Sequence, residues 1–186
     1  MAAYTLRVVP MQTSSRIYLT GFMGSGKSSL GPLLASAQGY SFVDLDEYIE
    51  ENAGLTIHEI FEQQGESEFR RVEKAALTES FNWTDTVIAL GGGALVTGHS
   101  MDSALRNGLV VYLSASEETL IERIEQSGYE RPLFSNRDQL KALLADREPT
   151  YRRAQIVFST EGLDVSQAVT GLLAAIESSR QTNQKE

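Results

Sequence analysis

Apolar residues recur along this chain in two rhythms. Short β-rich runs at Ile17–Thr20, Ser41–Asp44, Val87–Leu90, Leu109–Leu113 and Gln155–Ser159 read as strands. The longer stretches between them carry helical spacing, and strand–helix alternation of this kind predicts an α/β fold with a parallel sheet covered by helices. Thr56-Ile57-His58-Glu59 has capping-box spacing ahead of an apolar stripe of Ile57, Ile60 and Phe61, and Gly65 is placed to end that helix. Glu66–Phe81 reads as the next helix, with further periodicity at Leu140–Leu144 and at Val165–Ile176 behind the N-cap residue Asp164. Residues 126–138 hold Gly128, Pro132 and Asn136 with little periodicity and read as a lid-like surface loop. Met1–Ser15 and Ser178–Glu186 read as flexible tails around a single domain spanning residues 1–186.

One segment carries chemistry in its spacing. The first strand runs directly into Gly21-Phe22-Met23-Gly24-Ser25-Gly26-Lys27-Ser28, the full strand–GxxxxGK[ST]–helix pattern of a P-loop. Its glycines let backbone N–H groups turn inward, the helix N-terminus adds partial positive charge, and together they suit a polyphosphate. Lys27 is placed to reach β- and γ-phosphates, and Ser28 offers a hydroxyl to Mg²⁺, a hard cation that takes few protein oxygens beside phosphate and water. Pro32 lies inside the helix that follows, which predicts a kink or an irregular first turn, with Gly31 beside it to relieve the clash.

A P-loop alone does not separate a kinase from a GTPase or a motor. The second strand ends Asp44-Leu45-Asp46, and carboxylates two apart on a strand share a face at the carboxyl edge where ligands bind. Asp44 is then placed to orient Mg²⁺ through water and Asp46 to face an acceptor hydroxyl; helix capping before Glu47–Glu51 is the alternative reading of the pair. Arg70 and Glu73, three apart on a predicted helix, are spaced to pair and hold a guanidinium in one orientation, which suits a carboxylate ligand. Gly91-Gly92-Gly93 after the third strand permits close backbone approach to a ligand. Arg131-Pro132-Leu133 lies in the lid segment and Arg147-Glu148-Pro149-Thr150-Tyr151 follows the next helix.

Composition narrows the partners. The formal net charge of −9 argues against nucleic acid or an anionic membrane, both of which demand a basic surface. Any anionic substrate therefore needs a locally basic pocket, and the arginines above are where one would form. The 186 residues contain no Cys, which excludes disulfides and cysteine metal sites and agrees with a cytoplasmic location. His58 and His99 lack metal-ligand spacing, Trp83 is placed to pack at a helix end, and no NKxD tetrapeptide signals a guanine-reading switch.

Taken in order, GxxGSGKS, the DxD ending strand two, FRRxE, GGG, RPL and RxPxY resemble the shikimate kinase family from Arg16 to Ser159. Gluconate kinase and adenylate kinase share the first motif without this series. The resemblance implies a P-loop NTPase fold of three α-β-α layers, with a five-stranded parallel sheet in the order 2-3-1-4-5 and a mobile lid. It implies transfer of the ATP γ-phosphoryl group to the 3-hydroxyl of shikimate, with Mg²⁺, by a monomer. It further implies catalytic roles for Lys27 and Asp46, and ATP contacts from Gly24, Ser25, Gly26, Lys27, Ser28, Ser29 and the lid residue Arg131. Shikimate contacts are implied for Asp46, Arg70, Gly91, Gly92, Gly93 and Arg147, and metal contacts for Ser28 and, through water, Asp44.

Overall fold

Strict alternation along the strands decides which layer each side chain joins. On the first parallel strand Ile17 and Leu19 face one side and Tyr18 the other, and on the fourth Leu109, Val111 and Leu113 oppose Val110 and Tyr112. The structure, a computed structural model, describes residues 4–6, 15–126 and 137–183. In chain order the elements are β1 (Tyr4–Leu6), β2 (Arg16–Thr20), α1 (Lys27–Gln38), β3 (Ser41–Asp44), α2 (Leu45–Ala53), α3 (Ile57–Glu79), β4 (Thr86–Ala89), α4 (Ser100–Asn107), β5 (Leu109–Ser114), α5 (Glu117–Gln126), α6 (Arg137–Tyr151), β6 (Ile156–Ser159) and α7 (Val165–Asn183). Leu30, Leu34 and Ala35 of α1 and Leu172, Ala175 and Ile176 of α7 cover one face of the sheet. Residues of α2 to α6, among them Ile49, Leu77, Ala104, Leu120 and Leu144, cover the other.

The sheet order is β1-β6-β5-β2-β4-β3. Strands β2 to β6 are parallel to their neighbours in that group, and counted among themselves they give the expected order 2-3-1-4-5. The sixth strand corrects the reading of Met1–Ser15 as a tail: β1 pairs antiparallel with β6, Tyr4 opposite Phe158 and Leu6 opposite Ile156. Its three residues are too few to register as a periodic run. The C-terminal tail is corrected too, because α7 continues to Asn183 and Arg180 donates to Gln38 Oε1 at 2.8 Å, tying the end of α7 to the end of α1.

Three helices give detail to their sequence outlines. Helix α1 runs from Lys27 to Gln38 with Pro32 inside it. Gly31 serves the sheet instead, because a Cβ there would stand 2.2 Å from Cε2 of Phe42. Helix α3 starts at the expected box, Glu59 N donating to Thr56 Oγ1 at 3.2 Å and Thr56 N to Glu59 Oε2 at 2.7 Å. It gives way at Gly65, whose φ 83° and ψ 168° are not helical, so that two helical stretches meet across a kink where the first was expected to end and the second to begin. Helix α6 extends to Tyr151, so Arg147 and Tyr151 lie four apart on one helical face rather than in a following loop.

Candidate active site

The turn between β2 and α1 is held by glycine geometry. Gly26 caps α1 with φ 99°, a left-handed conformation, and a Cβ on Gly21 would stand 2.5 Å from the Leu113 carbonyl oxygen. Ser25 is buried inside the turn, while Ser28 and Ser29 sit in the exposed first turn of α1. Lys27 Nζ donates to the carbonyls of Gly21 at 2.9 Å and Phe22 at 3.0 Å, folding the ammonium back over the loop. Helix α5 closes against Gly24, where a Cβ would meet the Leu120 carbonyl at 3.1 Å. Arg123 of α5 donates to Thr160 Oγ1 at 3.0 Å, the Thr160 carbonyl at 3.1 Å and the Gly24 carbonyl at 3.4 Å. Sequence reading passes over Arg123, which has no motif around it and whose partners lie tens of residues away.

The two aspartates divide between strand and helix. Asp44 ends β3 and caps α2, its Oδ1 accepting from Asp46 N at 3.1 Å, while its Oδ2 accepts from Ser28 Oγ at 3.1 Å. Capping and contact with the P-loop helix are thus both true of it. Asp46 lies in the first turn of α2, so the pair does not share a strand face as the spacing suggests. The helix turns it toward the glycine segment after β4.

There the three glycines each face a different functional side chain. A Cβ on Gly91 would stand 2.6 Å from Asp46 Oδ1 and 3.3 Å from Glu73 Oε1; on Gly92, 3.2 Å from Arg147 Nη1; on Gly93, 2.5 Å from Arg70 Nη1. Only a bare backbone lets a carboxylate from α2, a guanidinium from α3 and another from α6 converge on one short segment. Arg70 Nη1 donates to Glu73 Oε2 at 2.8 Å, the expected three-residue pair, with Glu66 Oε1 at 3.3 Å from Nη2 and the Phe69 ring 5.2 Å beneath the guanidinium. Glu73 is 3% exposed. Burial pushes its carboxyl above the ordinary range, and Arg70 first, then Arg147, pull it part of the way back. Arg131 and residues 127–136 of the expected lid lie outside the described residues.

Among the described residues no three His, Asp or Glu side chains gather as a metal cluster, and His58 and His99 pair instead with Glu62 and Asp102 on their own helices. Among the described residues, too, no helix is long and apolar enough to cross a membrane.

Comparison with known proteins follows the same lines. The model of the shikimate kinase family matches residues 23–177. The shikimate kinase of Synechococcus sp. (strain RCC307) is 42% identical over 171 residues, covering 87% of each chain. That of Thermus thermophilus is 43% identical over 156 residues, 82% of this chain and 85% of the relative. The crystal structure of shikimate kinase from Bacteroides thetaiotaomicron superposes with a TM-score of 0.81 at 32% identity, covering 87% of this chain and 98% of that one. Shikimate kinase from Acinetobacter baumannii in complex with shikimate gives 0.79 at 34%, covering 89% and 94%. A gluconokinase from Sinorhizobium meliloti shares the fold at a TM-score of 0.62 and 19% identity over 97% and 99%. With the family model and these relatives spanning most of its length, this chain belongs to the shikimate kinase family.

Proposed function

We propose that the chain transfers the γ-phosphoryl group of ATP to the 3-hydroxyl of shikimate, giving shikimate 3-phosphate and ADP. The observation that carries this reading is the convergence of Asp46, Arg147 and Arg70 on Gly91, Gly92 and Gly93 beside a P-loop. Two guanidiniums with fixed forks suit the acceptor's carboxylate, and the carboxylate of Asp46 is the base for its hydroxyl. As the new O–P bond forms, Asp46 accepts the hydroxyl proton and the bond to the ADP oxygen breaks. Lys27 leaves its carbonyl partners for the phosphates, where Gly24, Ser25, Gly26, Ser28 and Ser29 line the cradle, and Arg131 is a further cation for the nucleotide. Such transfer depends chiefly on positioning and on neutralising spread negative charge.

The hydroxyl of Ser28 and the carboxylate of Asp44 offer hard oxygens 3.1 Å apart. This donor set fits Mg²⁺ whose remaining positions are filled by phosphate and water. When bound, the ion would neutralise phosphate charge, with Ser28 and Asp44 as the residues that would hold it. We also take the enzyme to be a cytoplasmic monomer without nucleic-acid or membrane partners, in keeping with its net charge of −9.

The test is a coupled ADP-release assay with ATP and Mg²⁺ against shikimate, quinate, gluconate and nucleoside monophosphates. Turnover is expected with shikimate. Turnover confined to another acceptor overturns the assignment.

A further inference from the structure

Tyr151 is fully buried, and its ring lies 5.2 Å from that of Tyr112 on β5, tilted by 36°. The ring is therefore fixed by the core, independently of what its hydroxyl does. That hydroxyl emerges at the glycine segment and donates to the Gly92 carbonyl. The carbonyls on either side are used differently: Gly91 O accepts from Ala94 N at 3.1 Å and Gly93 O from Val96 N at 3.0 Å, both local turn bonds. Gly92 O is the carbonyl of the three that is bound to a distant element. Arg147, one turn earlier on α6, reaches the same place: a Cβ on Gly92 would stand 3.2 Å from Arg147 Nη1 and 3.5 Å from the Tyr151 hydroxyl oxygen. A guanidinium only donates, and the phenol's proton goes to Gly92, so its oxygen is left with lone pairs suited to accept from Arg147.

We propose that Tyr151 is a positioning residue that joins Gly92 and Arg147 through one hydroxyl, holding the glycine backbone and the guanidinium at the fixed separation needed to grip the acceptor's carboxylate from two sides. The inference rests on the acceptor assignment above. A phenol suits the task because it offers one donor and two lone pairs on a ring with no torsional freedom beyond two angles. Burial pushes its ionisation up to about 12, so it remains a donor across neutral pH. On the nucleotide side Lys27 and Ser28 bond other groups, the Gly21 and Phe22 carbonyls and Asp44.

Tyr151→Phe keeps the stacked ring and deletes the hydroxyl. The expected result is a shikimate KM raised about ten-fold, an ATP KM unchanged and kcat changed less than KM, from loss of a charge-assisted hydrogen bond network in the acid site. Tyr112→Phe, which removes the other hydroxyl of the same ring pair, should leave the shikimate KM as it was. In an Arg147→Ala background Tyr151→Phe should add little, because the two act as a unit. An unchanged shikimate KM in Tyr151→Phe overturns the proposal. So does an equal rise in both KM values with a lowered melting temperature, or a Tyr151→Phe chain that does not fold, since either makes the hydroxyl a requirement of the fold alone. Wild-type turnover in the same assay separates the readings: failure of the acceptor assignment appears in the wild type, failure of the positioning role only in the variant.

Discussion

Gly91 and Gly93 are where one methyl group probes each half of the site separately. In Gly93→Ala the new Cβ would stand 2.5 Å from Arg70 Nη1, the far end of a flexible side chain, so the guanidinium moves and the fold survives. Losing a charge-assisted bond to the acceptor's carboxylate should raise the shikimate dissociation constant about ten-fold to a hundred-fold, with nucleotide affinity unchanged in calorimetric titrations. Gly91→Ala presses on Asp46 Oδ1 at 2.6 Å instead, and displacing the base should lower kcat by about a hundred-fold, with a smaller effect on binding. Identical kinetic profiles for the two variants would contradict the division of labour. Glu73 adds a pH signature. Its folded-state carboxyl titrates above the ordinary value of 4.5, so the contribution to stability is fully present below 4.5 and is lost as pH rises through the folded value. The melting temperature of Glu73→Gln minus that of the wild type should therefore increase on going from pH 4.5 to neutrality.

At the scale of elements, α3 is the informative case. Its box and its apolar stripe are legible because they depend on neighbours three and four residues away. The kink at Gly65 is legible as well: glycine marks the place where the first helical stretch ends and the second begins. A Cβ on Gly65 meets nothing within 4 Å, so Gly65→Ala isolates backbone strain at φ 83°, ψ 168°, a region essentially reserved for glycine. Urea denaturation should show a loss of about 1–3 kcal/mol. The spacing argument misplaces Asp46: two residues apart means one face only while the strand lasts, and capping by Asp44 turns the chain into α2 at once. Arg147 is likewise expected beyond a helix, yet α6 carries it, with Pro149 inside the same helix.

At the scale of the molecule, the order of the five parallel strands and of three motifs is readable together, since the P-loop, the aspartate pair and the glycine triplet each follow the carboxyl end of a strand whose hydrophobic run announces it. What is not readable is long-range pairing without a local pattern: Arg123 with Thr160, Tyr151 with Gly92, and β1 with β6. The last has a consequence for handling the protein. Without β1, β6 would end the sheet with its outer row of N–H and C=O groups free to bond a neighbouring chain, and the Ile156-Val157-Phe158 sequence gives that row an apolar, β-prone face. A chain lacking residues 1–14 should therefore keep its turnover, because the site lies across the sheet, but scatter light at lower concentration and at lower temperature than the full chain. Three residues that touch no substrate would then set how concentrated a solution of this enzyme can be.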